Sequence, residues 1–206
     1  MSKIEKKTKQ LDLVNSFEQG WSLYKTHFTK IVPWGLLLMV PSILFHFSIA
    51  LGIVSVILFQ GALLILLADK IDSSLSGIEK KVQKEGYFWN LIKSGTILSI
   101  ILLPMLLISF VILIIPSIIV FTLFMFSFFI IAQKNKLPVD ALMKSYEISS
   151  KQMLPLFLFS FILYGAVITS AIISNFVPFL HVVLCGVIIP YFFIVIYKFY
   201  EQLEEK

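Results

Sequence analysis

The side chains of this sequence that could do chemistry inside an apolar environment are few. His181 and Cys185 stand four residues apart, which places both on one face of a helix. His46 would sit at a similar depth if its own run folds as a second helix. Two imidazoles and a thiolate are ligands for zinc or copper. Such a centre also needs groups that orient the ligands, and no carboxylate lies in the same apolar runs to do so. The residues therefore read as interfacial histidines and an inert buried cysteine, with no metal and no cofactor expected. No glycine-rich phosphate loop, nucleophile elbow or zinc spacing appears elsewhere. A lone cysteine also rules out an intrachain disulfide.

That judgement depends on the elements that carry these residues. Of 206 residues, 58% are hydrophobic and only 14% charged, against about 25% charged in a soluble domain. Three stretches contain no charged side chain: 31–68, 94–133 and 152–197. They are 38, 40 and 46 residues long. One crossing of a bilayer takes about 20 residues. Each stretch is thus two crossings joined by a tight turn, with turn signals at 48–52, 113–117 and 174–179. The predicted helices run 31–48, 51–68, 95–113, 116–133, 154–174 and 179–198. Pro41 and Pro104 fall inside two of them as packing kinks.

All 17 basic residues are lysines, and the three turns carry none. Six lysines lie in 1–30, five in 69–93, four in 134–151 and two in 198–206. The positive-inside rule puts that side, with both termini, in the cytoplasm. The expected fold is all-α: one polytopic membrane domain over 1–206, with six transmembrane helices as three hairpins. The hairpins occupy 31–68, 94–133 and 152–198. Between them lie an N-terminal segment (1–30), cytoplasmic loops at 69–93 and 134–151, and a tail (199–206). The first apolar run starts too late, and lasts too long, for a cleavable signal.

An interfacial amphipathic helix is expected before each hairpin. In the first, Val14, Phe17, Trp21, Tyr24 and Phe28 recur at steps of 3, 4, 3 and 4, one face of an α-helix. Trp and Tyr favour the headgroup level, and lysines meet anionic lipid there at about 1 kcal/mol each. The pattern returns as Trp89-x-Leu91-x-Lys93, and as Tyr146-x-Ile148 with Lys151 following. Three like units are the simplest account. A further face, Ile71, Leu75, Ile78 and Val82, predicts a short surface helix in the loop 69–93.

Inside the spans, Gln60 is the one deep amide and should bond to a neighbour. The fifth helix carries Ser160, Tyr164, Gly165, Thr169 and Ser170, whose spacing allows close helix packing or lines a cavity. No Asp, Glu or Lys is expected in the core of a helix, which argues against a proton-coupled pump and against acid–base catalysis.

The segment "LPVDALMKSYEISSKQMLPLF", with Pro138, Ala141, Leu142, Lys144, Ser145 and Tyr146, resembles a pattern in bacterial multi-pass membrane proteins. These include the membrane domain attached to some glycerophosphoryl diester phosphodiesterases, and related uncharacterised six-helix proteins. "FEQGWSLYKTHF" looks like the N-terminal signature of the same family. The resemblance implies a helical membrane module without the catalytic domain, and it transfers no catalytic residue. The expectation is a non-enzymatic protein of the bacterial cytoplasmic membrane that supports the envelope or binds a protein partner, membrane-borne or cytoplasmic. A small-molecule or lipid permease is the alternative. Its partners would be the bilayer and anionic lipids at the cytoplasmic face. No nucleic acid is expected, because the net charge of +5 is spread thinly.

Overall fold

The computed structural model describes residues 11–40, 43–44, 48, 55, 60–75, 87–112, 114–174 and 180–204. Among these, every regular element is helical and there is no strand. The helices are α1 (Leu13–Leu37), α2 (Gly61–Leu75), α3 (Tyr87–Ile112), α4 (Ile114–Phe124), α5 (Ser127–Lys134), α6 (Pro138–Ser150), α7 (Met153–Ser174) and α8 (Leu180–Glu204). Three rods are long and apolar enough to cross a membrane: Ile114–Lys134, Met153–Ser170 and Gly186–Glu204. Of the predicted span 31–48 the structure describes 31–40, 43, 44 and 48, and of 51–68 it describes 55 and 60–68; Pro41, Ile78 and Val82 lie outside the described residues.

The rod Ile114–Lys134 is α4 and α5 in sequence, broken at Met125 and Phe126. A break inside an apolar rod frees backbone groups that lipid cannot satisfy. Ser145 of α6 answers both ends of this one. Its hydroxyl donates to the Leu123 carbonyl at 2.9 Å and accepts from the Phe126 N–H at 3.2 Å. α5 then stops at Asn135, which takes the left-handed conformation (φ 48°) that asparagine tolerates. Pro138 starts α6 at a position where its missing N–H costs nothing.

α8 lies at the centre. Every side chain from Phe192 to Tyr197 is buried. Rings join it to its neighbours: Phe129 to Tyr197 (5.6 Å between centroids), Phe126 to Tyr200 (5.8 Å) and Phe159 to Phe199 (4.9 Å, edge on). Offset and edge-on pairs of this kind add about 0.5–1.5 kcal/mol each beyond burial.

α1 departs from expectation. It does not end near Phe28 but continues unbroken to Leu37, and it packs antiparallel along α8. Ser16 meets Gln202, Gly20 meets Val195, and the Tyr24 hydroxyl donates to the Val187 carbonyl at 2.9 Å. The buried stripe is Ser16, Gly20, Tyr24, Ile31 and Gly35. The aromatic stripe sits at its edge, with Val14, Trp21 and Phe28 exposed. Small residues win the contact because they let two backbones approach. Likewise α3 runs through Trp89 and Lys93 into the predicted span, so no separate helix precedes the second run. Only α6 stands as a separate helix before an apolar rod.

The closest approaches are at glycines. A Cβ at Gly35 would collide with the Pro190 ring and the Gly186 carbonyl. One at Gly95 would collide with the backbone of Ala62, and one at Gly61 with the Gly95 carbonyl. Gly165, expected at a packing face, faces open space instead. A glycine spacing permits a close approach, but a partner must be there to use it.

Gly35→Leu and Gly95→Leu should each cost about 1–3 kcal/mol, lowering the melting temperature in detergent by roughly 3–10 °C. Gly165→Leu should leave it unchanged or slightly raised, since leucine favours a helix over glycine. Equal losses at all three positions would refute this packing.

Candidate functional site

Two features stand out among the described residues. The first is a junction where α2, α5 and α8 end together. α2 passes through Asp69 and Lys70 and buries Asp72, only 6% exposed. The Asp72 carboxylate accepts from Gln133 Nε2 at 2.7 Å and from the Tyr197 hydroxyl at 3.1 Å. Lys134 pairs with Glu204 across the same end, and Lys198 with Glu201 along α8. The loop 69–93 thus begins as a continuation of α2, and it places a carboxylate in the core where none was expected. The signal was the spacing Ile65, Ala68, Asp72, which keeps one helix face. Ile71, predicted on a surface helix, is fully buried in α2.

The second feature is a cavity of about 510 Å³ among α2, α3, α4, α5, α7 and α8. Gln60, just before α2, and Leu64 of α2 line it, with Phe121 and Phe124 from α4, Leu163, Tyr164 and Val167 from α7, and Ile189, Phe192 and Phe193 from α8. Its α4–α7 wall is braced by hydroxyls. Tyr164 and Ser117 share a hydrogen bond of 3.1 Å, and Thr122 donates to Ser160 at 2.8 Å. Thr122 also approaches the Ile118 carbonyl at 2.7 Å, and Ser160 donates to the Leu156 carbonyl at 2.9 Å. Such bonds between helices are worth about 0.6 kcal/mol each in a membrane.

The predicted site residues divide accordingly. Ser160 and Tyr164 do meet a neighbouring helix, and Tyr164 also faces the cavity. Gln60 lines the cavity and makes no hydrogen bond to another described residue, contrary to expectation. Ser170 is buried and donates to its own helix at the Val167 carbonyl, while Gly165 and Thr169 are exposed. His46 lies outside the described residues, and so do the side chains of His181 and Cys185 on α8. No group of three or more His, Cys, Asp or Glu with metal-binding geometry occurs among the described residues.

The aromatic anchors follow a shared pattern. Trp21, Trp89 and Tyr146 are 49%, 63% and 53% exposed. The aliphatic residue two positions on turns inward each time: Leu23 packs on the core, and Leu91 and Ile148 are buried. Lys25, Lys93 and Lys151 are exposed, and Lys25 sits 4.9 Å over the Trp21 ring. Phe17 and Tyr24 are drawn into the bundle, ring to ring with Tyr191 of α8. α6 presents two outward stripes: Val139, Met143 and Tyr146, and beside them Asp140, Lys144, Glu147 and Lys151. Hydrogen bonds from Lys144 and Lys151 hold the exposed Glu147 carboxyl below its ordinary range. No protein-family model, curated protein or solved structure matches the chain.

Asp72→Ala would leave two donors facing an empty acceptor, at a cost of about 1–3 kcal/mol. Asp72→Asn keeps an acceptor and should lose less, which thermal unfolding in detergent can rank.

Proposed function

We propose that the chain is a multi-pass protein of a bacterial cytoplasmic membrane, with six spans in three hairpins and both termini cytoplasmic. It acts without catalysis, as a module that supports the envelope or holds a partner protein. The observation that carries this reading is the meeting of charged ends. Asp72, Gln133 and Tyr197 join the ends of α2, α5 and α8, and Ser16 of α1 reaches Gln202 at 2.8 Å. One end of the bundle thus gathers the charged termini of four helices, as a one-sided threading requires. Lysine excess assigns that end to the cytoplasm.

The pairing of α1 with α8 supports a slanted α1 rather than one lying flat. Lys25 and Lys30 lie roughly 14 and 21 Å along α1 from Ser16. Only with α1 strongly tilted can their stems return the ammonium groups to water. α6, with an apolar and a charged stripe side by side, has the form of a helix resting at the headgroup level beside anionic lipid. The family resemblance of its segment fits a membrane module and adds no activity.

A permease for a small molecule or lipid is the second reading, favoured by the cavity between the helices. In a Cys185→Ser background, a cysteine at Lys136 should react with a membrane-impermeant maleimide only after cells are opened. One at Asn175 should react in intact cells. Labelling at both positions from outside would overturn the threading. Selective flux of a solute into vesicles containing the purified chain would replace the module with the permease.

A further inference from the structure

We propose that the cavity holds a neutral membrane lipid: a long apolar chain bearing an uncharged hydroxyl or carbonyl group, received by Gln60. The inference rests on the membrane embedding proposed above. Twelve of the fourteen lining side chains are hydrocarbon, the exceptions being Gln60 and Tyr164, and none is charged. A charged headgroup would lose its hydration there with nothing to replace it. A chain gains about 0.8 kcal/mol for each CH₂ it buries from water, but nothing comparable when it comes from lipid, so the polar contact decides what binds.

Gln60 supplies that contact. Its amide offers two donors and an acceptor, and it bonds to no other described residue. An amide in hydrocarbon is stabilised by any guest that brings an oxygen to it. The Tyr164 hydroxyl, already bonded to Ser117, keeps capacity for one more bond.

Depth excludes the ordinary phospholipids. Gln60 precedes Asp72 by twelve residues, roughly 18 Å along a helix. Half of the hydrocarbon core is about 15 Å. With Asp72 near the headgroups, Gln60 reaches the middle of the bilayer. A phospholipid keeps its oxygens at the surface and sends only bare tail to that depth. A neutral lipid can sink its hydroxyl or carbonyl there. The volume, about 510 Å³, lies within the ~300–1,000 Å³ of small-molecule sites. Lateral entry past α7 goes with this reading: Ile168 lines the cavity and is itself 40% exposed.

The test uses the purified chain in phosphatidylcholine–phosphatidylglycerol vesicles with two photoactivatable probes. One is a diacylglycerol with a diazirine in its tail; the other is a phosphatidylcholine with the same tail. The diacylglycerol should label lining peptides around Val167 and Ile189, and excess unlabelled diacylglycerol should compete. Both probes should label the outer flank at Phe161 and Ile162. Gln60→Leu should cut lining labelling about five-fold, the loss of one hydrogen bond, and leave the flank unchanged. Val167→Phe, which narrows the cavity beside Tyr164, should weaken lining labelling while the protein stays monodisperse. Equal lining labelling by both probes, or no effect of Gln60→Leu, overturns the inference. Flank labelling without lining labelling overturns it alone, whereas absence of both overturns the membrane embedding as well.

Discussion

The structure depends on one buried carboxylate. Asp72 has left water, and a carboxylate can stay in a packed interior only if donors surround it. Gln133 and Tyr197 provide them, one from α5 and one from α8. Three helices are therefore tied at one level, and none can slide by a turn without stranding the charge. A patch of hydrocarbon on each helix would allow many registers, because apolar side chains tolerate exchange of neighbours. The polar junction selects one. It also fixes which ends lie together, so the polar ends of α2, α5 and α8 meet by packing.

From that junction the bundle changes character with height. Next to Asp72 lies a layer of rings, in which Phe126 and Phe129 stack with Tyr197 and Tyr200. Phe193 belongs to this layer and also lines the cavity above it. The layer thus separates the one buried carboxylate among the described residues from the cavity. On the α7 side the hydroxyls of Ser117, Thr122, Ser160 and Tyr164 satisfy one another across two helices. Rings, a braced wall and small-residue contacts hold the cavity's sides apart where looser packing would close it.

How much of this could be read beforehand varies with what each feature depends on. Length and composition suffice for the rods Ile114–Lys134 and Met153–Ser170, because hydrocarbon runs of that size have few other fates. Position relative to a partner is another matter. The periodicity of α1 marks Phe17, Trp21 and Tyr24 as one face, yet Trp21 is left exposed while Phe17 and Tyr24 share the contact with the neighbouring Ser16, Gly20 and Gly35. A hydrophobic pattern records affinity for apolar surroundings, and lipid satisfies that as well as protein does. Only small size distinguishes a protein-facing stripe, and Gly165 shows that small size alone is not enough. Asp72 was hidden for a related reason. A charge at the end of an apolar run marks the limit of the membrane, and it takes a tertiary partner to carry that charge inward.

Ser145 extends the point to backbone chemistry. Nothing in residues 114–134 announces a break, since the run is almost uniformly apolar. The break exists because a residue on another helix can satisfy it: one hydroxyl serves as donor to Leu123 and acceptor for Phe126. In water a solvent molecule would serve as well, and such a serine would be dispensable. In hydrocarbon the two freed groups have no other recourse, so α6 becomes part of the rod it braces. The helix that carries the outward stripes of Tyr146 and Lys144 is thereby fastened to the wall of the cavity. Ser145 thus links α6 directly to the rod of α4 and α5, which carries Phe121, Phe124 and Phe128 of the lining.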